Sequence, residues 1–368
     1  MRIAAVTPMT AWFRSHWTLV LLSGMPVAIG LHYFAPQRHT AIFFAAIAAI
    51  VPLAAYIGRA TDVLARQLGG GIGGLLNATF GNAAELIIGA LALRRGMTDL
   101  VKASLTGSII GNVLLVFGFC AIVGGARQSI VTFNRTAAAM SATMLMLSAI
   151  GLTVPAVFHR LSRRGPGTPE LKLDTEIAVV LLLTYCASLF FTLKTHRSLY
   201  VADREQGAPR GSVWPAVGLL TASTAAVAWM SELLVGSLSG AAQALGMSNL
   251  FVGVVIVAII GNAAEHFSAV LMAARDKMDA AISIAIGSSM QIALFVAPVL
   301  VFLSYFIAPR PMDLIFTDFE VVAVALAVAA ISLIALDGET HWMEGVQLIA
   351  VYAILVLAFY FLPAVAVR

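Results

Sequence analysis

Apolar residues run in long blocks along this chain, and polar residues fall in short breaks between them. Eleven blocks have the length of a membrane-crossing helix, at about 16–34, 39–58, 72–94, 99–124, 134–158, 174–194, 213–234, 248–273, 279–305, 317–336 and 345–363. A crossing needs roughly 20 mostly apolar residues. No segment alternates apolar and polar residues with a period of two, so a β-barrel is not indicated. The first block follows Arg2 and Arg14 but has no clear small-residue cleavage site, and it reads as a retained span. The glycines at 69–71 read as a turn; no Lys-Ser/Thr pair follows to make a phosphate loop. The longest polar break, "KTHRSLYVADREQGAPRGS" at 194–212, mixes basic and acidic residues with Gly and Pro and separates two halves.

Those halves are related. A shift of 180 residues lays Gly81, Asn82, Ala83, Ala84 and Glu85 on Gly261, Asn262, Ala263, Ala264 and Glu265. The same shift lays Leu91 on Leu271, Arg95 on Arg275, Asp99 on Asp279, and Gly107-Ser108 on Gly287-Ser288. One offset over about 28 positions without a gap points to duplication. Spans two to six make one unit and spans seven to eleven the other. Five is odd, so the second unit enters the membrane from the opposite side, a design that secondary transporters place around a midplane ion site. The predicted fold is an all-α polytopic membrane protein of eleven transmembrane helices, one extra span plus two inverted five-helix repeats. Its expected parts are an N-terminal segment with the first span at 1–36, a first repeat at 37–194, a polar linker at 195–212 and a second repeat at 213–368.

Composition agrees with this class. The 368 residues are 60% hydrophobic and 11% charged, with a mean hydropathy of +0.95, against about 25% charged residues in soluble domains. The formal charge of +4 is no nucleic-acid footprint, because membrane proteins gather basic residues in loops. With the N-terminus inside, twelve Lys and Arg fall inside and ten outside, and the chain is read in that orientation. Cys120 and Cys186 fall in apolar runs and form neither a disulfide framework nor a zinc pattern.

Against this background three acids stand out. Between Arg66 and Arg94 there is no Lys or Arg, and Glu85 is the only acid. Between Arg210 and Arg275 there is again no Lys or Arg, and Glu232 and Glu265 are the only acids. An ionised carboxylate at bilayer depth costs several kcal/mol unless it is paired. A proton, a basic side chain from another span or a bound cation would neutralise it. Basic residues inside other spans are almost absent, so a proton and a cation remain, competing for the same oxygens. Asn82 and Asn262 precede their glutamates by three residues and share a helix face with them. Gly81 and Gly261 are candidate helix breaks that would expose carbonyl oxygens. Carboxylate, amide and carbonyl oxygens suit a hard cation such as Ca²⁺, and no Cys or His cluster suggests a softer metal.

Other polar positions have two readings each. Glu232 is a helper acid or entry ligand; its weak counterpart Asp62 is either that or a solvated span end. His266 is either a proton shuttle or a neutral hydrogen-bonded residue at a helix interface. Ser108, Ser288, Ser289 and Gln291 either line the ion path or pack helices, with Gly107 and Gly111 in a small-xxx-small pattern.

"GLLNATFGNAAELIIGALALRRG" and "IIGNAAEHFSAVLMAARDKMDAAISIAIGSSMQIALFVAPVLV" resemble the two α-repeat motifs of the calcium/proton exchangers, within the calcium/cation antiporter superfamily. The resemblance implies Ca²⁺/H⁺ antiport by alternating access. Glu85 and Glu265 would take the metal and the proton in turn, beside Asn82 and Asn262. Glu232 and Asp62 match positions of acids that assist ion entry, and the Gln291 region matches the pathway lining. Both motifs here carry Ala before the Glu where first repeats of the family often carry Thr. The linker lacks the acidic run of some members, and the N-terminus lacks the long tail of plant members, which fits a bacterial inner-membrane protein. The Ser-x-Pro-Glu type motif of the sodium/calcium branch is absent. Ca²⁺ and protons are the expected cargo, with no cofactor; a homo-oligomer is compatible with the sequence. The rivals are Na⁺ or K⁺ exchange for H⁺ at the same site and a passive cation channel. An intramembrane enzyme would need a nucleophile–base or metal–His set, and none is present beyond His266.

Overall fold

The computed structural model describes residues 18–68, 75–76, 79–126, 128–162, 170–196 and 212–362. Twelve helices carry almost all of them. The first half holds α1 (Thr18–Phe34), α2 (His39–Leu68), α3 (Ala83–Arg94), α4 (Thr98–Gly125), α5 (Arg135–Ser162) and α6 (Glu170–Phe190). The second holds α7 (Trp214–Ala244), α8 (Asn249–Gly261), α9 (Ala263–Ala274), α10 (Met278–Ile307), α11 (Asp318–Asp337) and α12 (Trp342–Phe361). The turn expected at 69–71, the start of the third span and most of the 194–212 linker lie outside the described residues.

Among the described residues, eight helices are each long and apolar enough to cross a membrane, and α8 and α9 meet the same criterion only together, as a pair bent by 60°. The two remaining predicted spans appear as α1, which is shorter, and α3, which is described from just before the motif onward. Several helices run past their expected limits. α2 ends at Leu68 and not near 58, and α7 ends at Ala244 and not near 234. Apolar length marks where a helix meets the bilayer and does not mark where its hydrogen bonding stops.

α4 is the central helix, with 78% of its apolar window buried, against 17% for the stretch containing α6. Without a hydrophobic drive between helices in lipid, close packing relies on small residues. Gly107 shows this: a Cβ there would lie 1.9 Å from the Val254 carbonyl oxygen, so α4 and α8 touch backbone to backbone. Gly111, its partner in the small-xxx-small pattern, has nothing within 4 Å and makes no such contact. Wider turns of the π type interrupt α4 at Gly111–Val116 and α10 at Ile292–Val296, at nearly the 180-residue offset of the motifs. A third lies in α8 at Val252–Val257.

Polar contacts between distant parts of the chain gather in two sets. In the first, Arg94 and Arg95 after α3 meet Glu232, and Lys102 at the start of α4 meets Asp313 and the Ile315 carbonyl at 2.9 Å each. Arg160 at the end of α5 pairs with Asp318 at the start of α11, and Thr175 near the start of α6 bonds Tyr305 near the end of α10. In the second set, the Asn134 amide before α5 donates to Asp279 at the start of α10 over 2.6 Å. There too, β1 (Val131–Thr132) pairs antiparallel with β2 (Glu339–Thr340), Val131 opposite Thr340. α4 and α11 therefore run from the first set to the second, and α5 and α10 run back.

The α4–α8 contact gives a direct check. Gly107→Ala should destabilise the purified protein by about 1–3 kcal/mol through overpacking, read as a lower melting temperature. Gly30→Ala, with nothing within 4 Å, should stay within about 0.5 kcal/mol.

Candidate cation site

Each motif opens a helix. Asn82 stands at the N-cap position of α3 and Asn262 at that of α9, with near-identical backbone angles of φ −98°, ψ 17° and φ −95°, ψ 6°, and neither side chain makes a capping bond. Asn262 is the hinge of the 60° bend between α8 and α9, directly after Gly261; a turn at Gly81 and Asn82 precedes α3. Such breaks leave carbonyls and N–H groups without helical partners. Glu85 and Glu265 both sit in the first turn of their helices, where the positive end of the dipole favours a negative charge.

The fold brings the two acids together. A Cβ on Gly261 would lie 3.2 Å from Glu85 Oε1, so the glycine admits the first-half carboxyl against the second-half hinge. Glu85 and Glu265 are near enough to interact electrostatically. Glu85 Oε2 is buried and has no hydrogen-bond partner among the described residues. Glu265 Oε2 accepts from the Ser288 hydroxyl. Among the described residues no three His, Cys, Asp or Glu side chains cluster as a metal centre, so the carboxyl pair is the anionic feature here.

Around the pair runs a buried polar network. Asn82 Nδ2 donates to Gln291 Oε1 at 2.7 Å. Asn262 Nδ2 donates to Ser108 Oγ and to the Ala258 carbonyl, each at 2.8 Å. Asn112, 1% exposed, ties the network together. Its Nδ2 donates to Asn262 Oδ1 at 3.2 Å and to Ser288 Oγ at 3.1 Å. Its Oδ1 accepts from His266 Nε2 at 2.8 Å. With both amide hydrogens spent, Ser288 keeps its own hydrogen for Glu265. His266 thus sits in a hydrogen bond at a helix interface. Ser289 bonds the Ile109 and Ala285 carbonyls and packs α10 on α4.

Asn112 was invisible as a site residue in the sequence, because it lies outside both GNAAE blocks and a 180-residue shift lays it on apolar Ile292. The signal is the π turn. Asn112 lies in the turn of α4, and Gln291 immediately precedes the turn of α10. Each therefore meets the motif asparagine of the other half. Wider turns of this kind recur at functional sites.

A cavity of about 670 Å³ opens beside the motifs and reaches Glu265. Its walls include Glu265, Ser288 and Gln291, Gly81 beside the first motif, and α2 from Val51 to Asp62. That stretch of helix spans about 16 Å. Asp62 thus faces the same space as Glu265. Glu232 does not: it is held by Arg95 at 2.6 Å and Arg94 at 3.0 Å. The expectation that this acid lacks a basic partner is therefore corrected. Its partners come from the end of another helix, and two long arginine side chains bridge a distance that span-by-span counting does not register.

The chain matches the family described as "Sodium/calcium exchanger protein" over residues 38–194 and again over 215–361. The "Ca(2+)/H(+) antiporter" of Synechocystis sp. is 44% identical, covering 95% of this chain and 98% of that protein. The "Ca(2+)/H(+) antiporter ChaA" of Bacillus subtilis is 45% identical over 85% of this chain and 90% of that one. The solved structure of native YfkE superposes with a TM-score of 0.80 at 41% identity, covering 94% of this chain and 100% of YfkE. The chain belongs to the sodium/calcium exchanger protein family and groups within it with the calcium/proton exchangers.

Proposed function

We propose that this protein is a Ca²⁺/H⁺ antiporter of the bacterial inner membrane, working by alternating access with Glu85 and Glu265 as the shared cation and proton site. The single observation that carries the site is a buried Glu85 oxygen without a partner, facing a second motif glutamate, with no basic side chain of the described residues paired to either. Two such carboxylates take one divalent ion or two protons. Asn82 and Asn262, with Ser288, frame the oxygen shell, and hard oxygen donors suit Ca²⁺. The relatives named as Ca²⁺/H⁺ antiporters favour calcium over the sodium and potassium alternatives.

The membrane layout in this reading is eleven crossings: one extra span, a first repeat at 37–194, a linker at 195–212 and a second repeat at 213–368. Three observations support it. The family match falls in two separate stretches, one per half. The π turns of α4 and α10 recur at nearly the motif offset. The two sets of polar contacts sort the helix ends as eleven crossings would, with Arg94, Lys102, Arg160 and Thr175 on one face and Asn134, Asp279 and Thr340 on the other. With the N-terminus inside, the cavity opens to the cytoplasm and the Glu232 contacts close the outer side. Asp62 is the accessory acid at the open mouth.

Only a neutralised site crosses. Ca²⁺ or protons remove the burial cost of two facing carboxylates, and the empty dianion stays put, so flux of one cation is tied to return of the other. Glu85→Gln and Glu265→Gln should each abolish proton-driven ⁴⁵Ca²⁺ uptake in everted vesicles while purified protein remains monodisperse. Uptake at the wild-type rate in either variant would refute the assignment.

Asn112 acts as a positioning residue. Asn112→Ala leaves Asn262 Oδ1 and the His266 N–H without their partner. One such loss costs about 1–3 kcal/mol, and where it falls on the Ca²⁺-bound form the KM for Ca²⁺ should rise roughly 5- to 150-fold. Asn112→Gln should recover part of it. A change in the maximal rate alone, with KM unaltered, would contradict this role.

A further inference from the structure

The arginine after each motif helix has a place to land on the helix of the opposite gate, and only one of the two places is filled. Arg95 directly follows α3, and its guanidinium lies against Gly236 of α7: a Cβ there would stand 2.7 Å from Arg95 Nη1. Glu232, four residues before Gly236 and so one turn away, receives Arg95 at 2.6 Å and Arg94 at 3.0 Å. A glycine and an acid one turn apart thus form a seat for the arginine. None of the residues of this seat lines the cavity.

The second half repeats the arginine, and the first half carries a glycine and an acid one turn apart in the reverse order. Arg275 follows α9 at the 180-residue offset from Arg95. Gly58 lies in α2 at an offset of 178 from Gly236, and Asp62 stands four residues after it. Both Gly58 and Asp62 line the open cavity, and a Cβ on Gly58 would have nothing within 4 Å. Across that space Leu271, one turn before Arg275, lines the facing wall. Among the described residues neither Asp62 nor Arg275 makes an ion pair. Arg59 and Arg66 flank Asp62 on its own helix; Arg59 lies over the Tyr56 ring at 5.6 Å.

We propose that Arg275 docks over Gly58 and pairs with Asp62 when the cavity closes, and that this ionic lock alternates with the Arg94/Arg95–Glu232 lock during exchange. One lock holds each face shut. The acid released on the open face, Asp62 here, is then left facing the cavity. At Gly236 the guanidinium lies where a Cβ would stand, so a side chain there would displace it. The two arginines differ in neighbours: Arg95 is preceded by Arg94, whereas Arg275 is preceded by Ala274. The outer lock is therefore doubly charged and the inner lock singly charged.

The proposal rests on the exchange reading above, and the test separates the two. Proteoliposome Ca²⁺/H⁺ exchange is measured for wild type, Asp62→Arg, Arg275→Asp and the double reversal. Each single reversal is expected to slow exchange about tenfold, and the double to return to within about threefold of wild type, within the range of couplings between contacting charges. Gly58→Leu tests the seat without touching charge. It fits the open cavity, so the protein should purify as a monodisperse species, yet exchange should slow about tenfold because closure is blocked. A double reversal no faster than the slower single variant, or full-rate exchange by Gly58→Leu, overturns the lock while wild-type exchange stands. No exchange by the wild type itself overturns the underlying reading.

Discussion

Everything in this molecule is arranged around two carboxyl groups that face each other inside an apolar bundle without a protein cation to neutralise them. Glu85 reaches the second-half hinge because Gly261 has no side chain, and one of its oxygens is buried and unpartnered. Glu265 stands one turn past that hinge and takes its hydrogen bond from Ser288. Burying such a pair as a dianion is prohibitive at membrane depth. In the proposed mechanism the fold holds it only with a proton or a metal present, and this restriction makes the buried acid pair an exchange site.

In the proposed mechanism the surrounding structure keeps those oxygens fixed and controls which side reaches them. Fixing falls to buried amides and hydroxyls, with Asn112 tying Asn262, Ser288 and His266 into one network. Asn112, Asn262 and Ser288 are each hydrogen-bonded within the network, which specifies their orientation, in keeping with the high cost of unpaired polar atoms in such surroundings. Control of access falls to the helices flanking the motifs. A cavity opens between parts of α2 and α9, whereas the end of α3 is bound to α7 by arginines. Two related halves in different arrangements are what alternating access by an inverted repeat requires at any one moment.

Much of this was legible in the sequence. The apolar blocks match the observed helices to within a few residues at most starts, since burial in lipid leaves a helix as the main way to satisfy the backbone. The duplicated GNAAE blocks located both acids, both N-cap asparagines and the hinge, because a break in a helix and an acid in its first turn are local features. What escaped was long-range. Asn112 gives no local signal and gains its role from α9 crossing α4 at a π turn. Glu232 seemed bare because its arginines lie some 138 residues away in the chain. The difference between the open and closed faces is a property of one conformation and is not encoded in either repeat alone.

The central claim is that the empty site cannot cross. It is tested most directly by Ca²⁺ efflux from loaded proteoliposomes into a Ca²⁺-free alkaline medium with the membrane potential clamped. Efflux should stall there and resume when either protons or Ca²⁺ are supplied outside. Efflux at the same rate with and without a countercation would contradict the account and mark the protein as a passive pathway.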